Sequence, residues 1–554
     1  MTIRHANTKV KGGADVTASF LDDSAVEALP SIAWSASLRT AAYRFDNQPA
    51  VTDGQGQCLT YRELCDNAHR LAKQLVASHG VGVGMPVATV LPNTTAAVIA
   101  SYAIRLTGAI EVPISWRSTA EEIAWCAKLA KVSLVLSLAS RQGTLETLAL
   151  DTVCLDEATA VDAGAANADA TEAFAPVPGG APARILFTSG TTGKPKGVLY
   201  RHMDRWTGEQ MLKASLPFVP AVGDKIVLMT PFVHGASLMT YAWCDLGGHV
   251  ILLDGVALDK IAEQLADPKL RAIFAPPTVL AKITSAFEGQ TFKQVDCIFT
   301  GTQPLTALMY QRACSMFGPV VRVTYGKSEC VNPITVLSTD QTHDYFSSSD
   351  IPAGACVGHP APGVQIRIEP QNGADEQEGS DREGYGEIWL KAPHMSRGMI
   401  TVDGFSPHEP GGWHQTGDLG YMDESGRLVL TGRLADVIKT GGFKVNPDEI
   451  EATLVALDAS TQISVTALPS DYWGEIIVAV AESSFEGWES VAQARVAGLS
   501  RHKHPRLFIA VQALPRNPQG KVSRRLVREQ VLAQYELLDG PYPELKRRSQ
   551  SQLV

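Results

Sequence analysis

Cysteine is scarce and unpaired in this 554-residue sequence, whose nine cysteines form no CxxC pair and are odd in number. A disulfide framework and a structural zinc site are therefore not expected, and a reducing compartment fits better. Positive charge is also in deficit, since 48 Lys and Arg face 58 Asp and Glu and the formal net charge is −10. This balance argues against a surface devoted to nucleic acid or to anionic lipid.

A hydrophobic run long enough to cross a membrane is also missing. The most apolar stretch, residues 96–114, is interrupted by Arg105 and bounded by Pro113, which predicts a buried helix and strand. The polar N-terminal segment has no apolar core of a secretory signal, and the final SQLV is neither a prenylation box nor a peroxisomal address. We therefore expect a cytoplasmic protein with no membrane span.

Short β-branched runs alternate with longer helical patterns along much of the chain. Residues 61–78 carry a helical apolar stripe, residues 87–91 form a strand pattern, and residues 96–106 are helical again. Hydrophobic residues make up 45% of the chain, which is too many for a disordered protein. This alternation predicts an α/β fold with largely parallel sheets. Further predicted strand–helix pairs are 250–253 with 258–265 and 272–275 with 277–287.

The C-terminal third has a different texture. Short strand candidates at 364–369, 386–390 and 427–430, separated by Gly, Pro and Asp, predict a β-rich subdomain over about 354–433. Beyond it, a predicted helix at 447–457 lies among strands, as in a compact α+β domain. We therefore predict a large N-terminal domain, residues 1–433, and a small mobile C-terminal domain, residues 434–554.

A Gly-rich loop, TSGTTGKPKG over residues 188–197, follows a short apolar strand. Glycine permits close backbone approach, while hydroxyls, backbone N–H groups and lysines suit a polyphosphate. It is not a Walker loop, because Gly190 stands too close to Gly193-Lys194 and Pro195 follows. The loop residues that we expect at the phosphates are Thr188, Ser189, Gly190, Thr191, Thr192, Gly193 and Lys196.

Together with later blocks, this loop resembles the signature of the adenylate-forming superfamily, which includes acyl- and aryl-CoA synthetases, peptide-synthetase adenylation domains and luciferases. The segment TYGKSE, residues 324–329, resembles the family's aromatic-Gly-x-Thr-Glu motif. The resemblance implies that adenine stacks on Tyr325, that Ser328 bonds a phosphate and that Glu329 holds Mg²⁺. The other nucleotide-binding residues implied by this block and by the upstream GTQPL turn are Thr324, Gly326, Gly301, Thr302, Gln303 and Pro304.

Further blocks follow in the family's order over most of the chain. The resemblance implies that Asp418, in a Thr-Gly-Asp block, accepts the ribose hydroxyls and that Arg433 also reaches the ribose. It implies that Lys521, after an Asn-Pro-Gln-Gly turn, is the catalytic lysine. His234, in a PFVHG segment, would border the acyl pocket. The predicted catalytic residues are Lys521, Glu329, Thr188 and His234.

The acceptor thiol is expected at a turn in the C-terminal domain. In the family a Gly turn receives the pantetheine arm after the small domain rotates, and Gly441-Gly442 with Lys439 would play this part. The chain departs from the family at the pivot, the hinge about which the small domain rotates. Many relatives carry Asp or Lys two residues after the Arg, whereas this chain has Ala435 there and Asp436 next. It also carries Lys327 where relatives are often apolar, so Lys327 either pairs with a second polar or anionic group of the substrate or extends to solvent.

The implied reaction joins a carboxylic acid to CoA, with ATP and Mg²⁺, through an acyl-adenylate. Four alternatives stay open: a carrier-protein acceptor, closure of a β-lactone, a kinase or ATPase that releases ADP, and a regulatory protein without catalysis. The missing Walker loop argues against the kinase. The joint presence of Glu329, Asp418, Arg433 and Lys521 argues against lost catalysis. The acid is not indicated, and a homodimer is the default oligomer.

Overall fold

In this computed structural model, secondary structure covers most of the chain. The residues described are 29–155, 173–188, 194–301, 303–349, 351, 354–370, 384–409, 411–455, 461–482, 487–517 and 521–548. Several predicted site residues lie outside them: Ser189, Gly190, Thr191, Thr192, Gly193 and Thr302.

Three helices of the described chain begin with a reciprocal capping box, as at Thr60 and Glu63. They are α1 Trp34–Phe45, α2 Tyr61–His79, α3 Thr95–Thr107, α4 Ala120–Leu129, α5 Gln142–Glu146, α6 His202–Ala214, α7 Ser237–Asp245, α8 Leu258–Leu265, α9 Pro277–Ala286, α10 Ala307–Phe317, α11 Thr339–Ser347, α12 Pro447–Val455, α13 Trp488–Val496 and α14 Arg524–Gln534.

The strands are short, and many are buried on both faces. They are β1 Pro49–Asp53, β2 Cys58–Thr60, β3 Pro86–Val90, β4 Ile110–Pro113, β5 Leu134–Ser137, β6 Asp151–Cys154, β7 Pro182–Thr188, β8 Lys196–Arg201, β9 Lys225–Leu228, β10 His249–Leu252, β11 Leu270–Phe274, β12 Cys297–Gly301, β13 Val321–Tyr325, β14 Thr335–Leu337, β15 Ala355–Pro360, β16 Gln365–Glu369, β17 Gly386–Lys391, β18 Gly398–Thr401, β19 Gly404–Pro407, β20 His414–Met422, β21 Leu428–Arg433, β22 Ile438–Thr440, β23 Phe443–Val445, β24 Gln462–Ser470, β25 Gly474–Glu482, β26 Leu507–Val511, β27 Tyr535–Leu538 and β28 Glu544–Arg547.

Contacts divide the chain into two compact units. The first combines the chain before the Gly-rich loop with residues 194–209 and 394–408, and the second combines residues 210–393 with the chain from 409 onward. The first contains an eight-stranded sheet in the order β19-β18-β8-β7-β4-β3-β5-β6. Its strands β3 to β6 are parallel, as predicted, whereas β7, β8, β18 and β19 pair antiparallel in turn.

The second unit carries a mixed sheet in which β10, β9, β11, β12 and β13 run parallel. From β13 the sheet continues antiparallel through β14, β15, β21, β20, β17 and β16. The β-rich texture predicted from residue 354 is therefore present, and its strands are shared between the two units. The boundary between residues 433 and 434 stays a prediction.

A separate five-stranded sheet, formed by β22 to β26, organises the C-terminal part of the second unit. Side chains of β25 alternate between two cores, with Ile477 and Ala479 on one face and Ile476 and Val478 on the other. Helices α12 and α13 cover the first face, and α14 covers the second. The hairpin β27–β28 also packs against the second core, through Leu537 and Leu545.

The stretch that is richest in apolar residues forms the buried helix α3 and the strand β4, as predicted. Across the part of the chain that the structure describes, no helix has the length and apolar character needed to cross a membrane. Helix α12 is predicted to end at residue 457 but is described only to Val455.

Candidate active site

The carboxylate of Asp418 accepts hydrogen bonds from three side chains, two of them from the 324–329 motif and one from β21. Lys327 Nζ donates to Asp418 Oδ2 over 3.0 Å, and Arg433 Nε donates to Oδ1 over 3.2 Å. The hydroxyl of Tyr325 also donates to Oδ2. Asp418 and Tyr325 are both buried, whereas the Arg433 side chain is 65% exposed. The predicted ribose and adenine residues thus form one cluster.

Strand pairing places these side chains together. Asp418 on β20 is directly opposite Arg433 at the end of β21, and Tyr325 ends the parallel strand β13. Thr416 fixes the backbone here, since its hydroxyl donates to the carbonyl of Ile388 over 2.6 Å and accepts the Asp418 N–H over 3.0 Å. The carboxylate is therefore held by a rigid sheet.

Electrostatics keep Asp418 ionised. Burial raises the pKa of Asp418, but Lys327 and Arg433 outweigh burial and hold that pKa below its usual value. Burial and the neighbouring Asp418 charge raise the pKa of Tyr325 well above its ordinary value, so its hydroxyl stays a hydrogen-bond donor. The site therefore presents one anion framed by two cations, an arrangement suited to orienting sugar hydroxyls.

The side chain of Lys521 lies close enough to the Asp418 cluster for their charges to interact. Burial, with Arg433 and Lys327, lowers the pKa of Lys521 to about 8, against the opposing effect of Asp418. The backbone around it is fixed by Asn517, whose side chain accepts the Lys521 N–H over 3.0 Å and whose own N–H donates to the Lys521 carbonyl over 2.8 Å. The predicted catalytic lysine is therefore half-buried and lies within electrostatic range of Asp418 and Arg433.

The described ends of the Gly-rich loop form a β-hairpin in the first unit, where Thr188 on β7 is opposite Lys196 on β8. Trp125 holds the second end, because its indole N–H donates to the Pro195 carbonyl over 2.9 Å and its ring centroid lies 4.3 Å from Lys194 Nζ. The loop therefore begins and ends at fixed positions. Sequence alone does not indicate Trp125, which is 70 residues away from Pro195.

The glycines of the predicted adenine turn and motif are required because neighbouring groups lie very close to them. A Cβ at Gly301 would lie 2.3 Å from the Thr324 carbonyl oxygen, and one at Gly326 would lie 2.1 Å from Asn332 Oδ1. Any larger residue at either position would clash with these groups, so both positions require glycine. Of the neighbouring predicted residues, Gln303 and Ser328 are half-buried and Pro304 is exposed.

Glu329 is half-buried next to Ser328. Within the described residues, no group of three or more His, Cys, Asp and Glu side chains could hold a metal ion. A single carboxylate nevertheless fits the predicted Mg²⁺, because protein-bound Mg²⁺ takes few protein ligands beside substrate phosphates and water. Glu329 would hold the ion, whose charge would stabilise the triphosphate.

His234 lies in a π-helical turn, Phe232–Ala236, that leads into α7.

The predicted thiol turn lies between β22 and β23 and is exposed. Gly441 has φ +56° and Gly442 has φ +86°, values that favour glycine. Lys439 is exposed, and its N–H donates to Glu475 Oε2 over 2.7 Å. The main chain of the turn is therefore accessible from solvent.

The pivot segment is tied to the C-terminal helix by one arginine. Arg524 at the start of α14 donates to Asp436 over 2.7 Å, to Asp448 over 2.7 Å and to Glu451 over 2.6 Å. Ala435 is exposed in a short 3₁₀ turn, Leu434–Asp436. Asp436, one residue after the usual pivot position, is therefore the residue of this turn that forms the ion pair with Arg524.

Two further contacts at the site were not expected from the sequence. The Lys327 side chain is only 13% exposed and also donates to the Thr416 carbonyl over 2.7 Å, so the interpretation that it extends to solvent is wrong. Glu387 on β17 accepts the Gly417 N–H over 3.2 Å. Both contacts join residues at least 30 positions apart, and no local pattern predicts them.

The model of the AMP-binding enzyme family matches residues 38–400, which is more than half of the chain. The chain belongs to the AMP-binding enzyme family. The adenylate-forming resemblance is thereby confirmed, together with the α/β fold and its large and small domains.

Curated relatives of this AMP-binding enzyme match nearly its whole length. A 4-chlorobenzoate–CoA ligase from an Arthrobacter species is 30% identical over 552 residues, covering 93% of this chain and 96% of the relative. A 2-succinylbenzoate–CoA ligase from a Geobacillus species is 28% identical over 506 residues, covering 89% and 96%. The prediction of an AMP-forming acid–thiol ligase is confirmed at the level of the family.

Solved structures show the same fold. ATP-bound MatB from Rhodopseudomonas palustris superposes with a TM-score of 0.76 at 25% identity, covering 90% of this chain and 98% of that one. The o-succinylbenzoate CoA synthetase MenE from Bacillus subtilis, in complex with ATP and a magnesium ion, has a TM-score of 0.71 at 23% identity, covering 89% and 98%.

Proposed function

We propose that this AMP-binding enzyme activates a carboxylic acid as its acyl-adenylate and transfers the acyl group to CoA. The observation that carries the proposal is the convergence of Tyr325, Asp418, Arg433 and Lys521 from separate segments. Ribose-binding groups and a cation near them are what a reaction at the α-phosphate of ATP requires.

In the first half-reaction, a carboxylate oxygen forms a bond to the α-phosphorus of ATP. The bond from that phosphorus to the bridging oxygen breaks, and pyrophosphate leaves with the electron pair. Two anions must meet, so cations that offset the growing charge accelerate the step. Asp418 and Arg433 would orient the ribose, and the Lys521 ammonium would offset charge at the reacting oxygens. Thr188 and Lys196 stay the predicted phosphate contacts of the Gly-rich loop.

In the second half-reaction, the CoA sulfur attacks the carbonyl carbon of the acyl-adenylate. The bond from that carbon to the phosphate oxygen breaks, AMP leaves, and the thiol proton passes to water. The exposed Gly441-Gly442 turn would receive the pantetheine arm, with Lys439 near the CoA phosphates.

The identity of the acid is tested by acid-dependent exchange of labelled pyrophosphate into ATP. The panel contains benzoate derivatives, succinylbenzoate, dicarboxylates and fatty acids of several chain lengths. We expect at least one class to support exchange and then to give acyl-CoA and AMP when CoA is added. Failure of every acid in the panel to support exchange would contradict the proposal. Release of ADP in place of AMP would also contradict it.

The acceptor is tested separately once an acid is known. Free CoA is compared with a phosphopantetheinylated carrier protein, and product is also assayed without any thiol. We expect acyl-CoA. Transfer to the carrier alone would favour a carrier-loading enzyme, and a thiol-independent lactone from a hydroxy acid would favour a β-lactone synthetase.

A further inference from the structure

The C-terminal hairpin β27–β28 is anchored to the turn between β24 and β25. Asp539, which follows β27, accepts the Ser470 hydroxyl over 2.6 Å, the Asp471 N–H over 2.7 Å and the Tyr472 N–H over 3.3 Å. One carboxylate therefore caps three successive donors of the neighbouring turn.

The same anchor fixes Trp473. Ser470 Oγ accepts the Trp473 N–H over 2.9 Å, and the indole N–H donates to the Gly540 carbonyl over 3.0 Å. Arg506 covers the ring, with its guanidinium carbon 3.5 Å from the ring centroid. Trp473 is thus fixed by hydrogen bonds from its backbone N–H and its indole N–H and by the guanidinium of Arg506 on its ring face.

Trp473 in turn contacts the predicted thiol turn. Its carbonyl accepts the Gly441 N–H over 2.8 Å. A Cβ on Gly441 would lie 3.1 Å from Trp473 Cε3, so the indole lies directly against the main chain of the turn. A continuous set of contacts therefore runs from Asp539 through Trp473 to Gly441.

We propose that Asp539 is a positioning residue for the thioester-forming half-reaction, acting through Trp473 on the Gly441-Gly442 turn. This inference rests on the proposed function, because it requires CoA to use that turn. Asp539 itself need not contact any substrate. Its loss should weaken use of CoA while leaving formation of the acyl-adenylate intact, since the Asp418 cluster lies on other strands.

The test uses the full chain and an acid found by the exchange panel. For Asp539→Ala we expect the KM for CoA to rise about tenfold, the effect of losing a charged hydrogen-bond acceptor, with pyrophosphate exchange within about twofold of wild type. The KM for CoA of Asp539→Asn, which keeps one carbonyl acceptor, should lie between the values of wild type and of Asp539→Ala. Tyr542→Ala is the matched control, because Tyr542 lies in the same hairpin loop and is 90% exposed.

A double-mutant cycle with Trp473→Phe tests the linkage. If both residues act through one set of contacts, the combined rise in KM is smaller than the product of the single rises. An unchanged KM for CoA in both Asp539 variants, or equal losses in exchange and thioester formation, would overturn the inference alone. Wild-type protein that exchanges pyrophosphate but makes no acyl-CoA would overturn the proposed acceptor and this inference with it.

Discussion

Lys327 Nζ lies 3.0 Å from Oδ2 of Asp418, although the two residues are 91 positions apart in the chain. This ion pair puts a third cation near the predicted reacting centre, beside Arg433 and Lys521. Because Lys327 is already paired, it shapes the field around Asp418 whether or not the substrate carries a second anionic group.

The lowered pKa of Lys521 gives the first prediction. A lysine is a cation below its pKa, so Lys521 is charged at pH 7 and loses its charge as the pH rises through about 8. We expect kcat/KM for ATP in the exchange reaction to fall above that pH. Pyrophosphate exchange measured across the range checks this, and a profile that stays flat well beyond about pH 9 would contradict the assignment.

Removing the charge of Lys327 should shift the same profile. Lys327→Met removes one of the positive charges that lower the pKa of Lys521, so the alkaline limb should move to higher pH. Lys327→Arg keeps the charge and serves as the matched control, with little movement expected. If activity falls at the same alkaline pH in Lys327→Met and in wild type, the charge of Lys327 does not act on Lys521.

Arg524 should contribute strongly to the stability of the C-terminal part. Its side chain is 20% exposed and bridges three carboxylates, so Arg524→Met should cost about 2–4 kcal/mol by leaving them unpaired. Arg525→Met is the control, because the Arg525–Glu529 pair is exposed and such pairs contribute about 0–1 kcal/mol. Hydrogen exchange in α12 and α14 measures the difference, and equal protection in both variants would refute it.

Local patterns predicted much of the fold. The helix expected at 258–265 is α8, and the helix expected at 61–78 is α2, Tyr61–His79. Apolar periodicity and end signals determine such elements within a short window. The ends of some elements differ from the predicted ends by a few residues, because strand pairing continues past the apolar run. An example is β21, which was expected at 427–430 and is Leu428–Arg433.

The site was predictable only where its residues stand in blocks. Asp418 and Arg433 are opposite each other on β20 and β21, and Lys521 lies within electrostatic range of both. The pairing of Lys327 with Asp418 and the anchoring of Trp473 by Gly540 depend on groups that meet only in three dimensions. A single sequence carries no record of such contacts. The roles of all the predicted site residues, His234 and Glu329 among them, stay predictions.

The most direct measurement compares Lys521→Ala with wild type in acid-dependent pyrophosphate exchange. We expect a loss of about 10²–10³, the usual effect of removing one well-placed group that stabilises transition-state charge. Lys546→Ala, at an exposed lysine of β28, should leave exchange unchanged. Exchange within about twofold of wild type in Lys521→Ala would contradict the account.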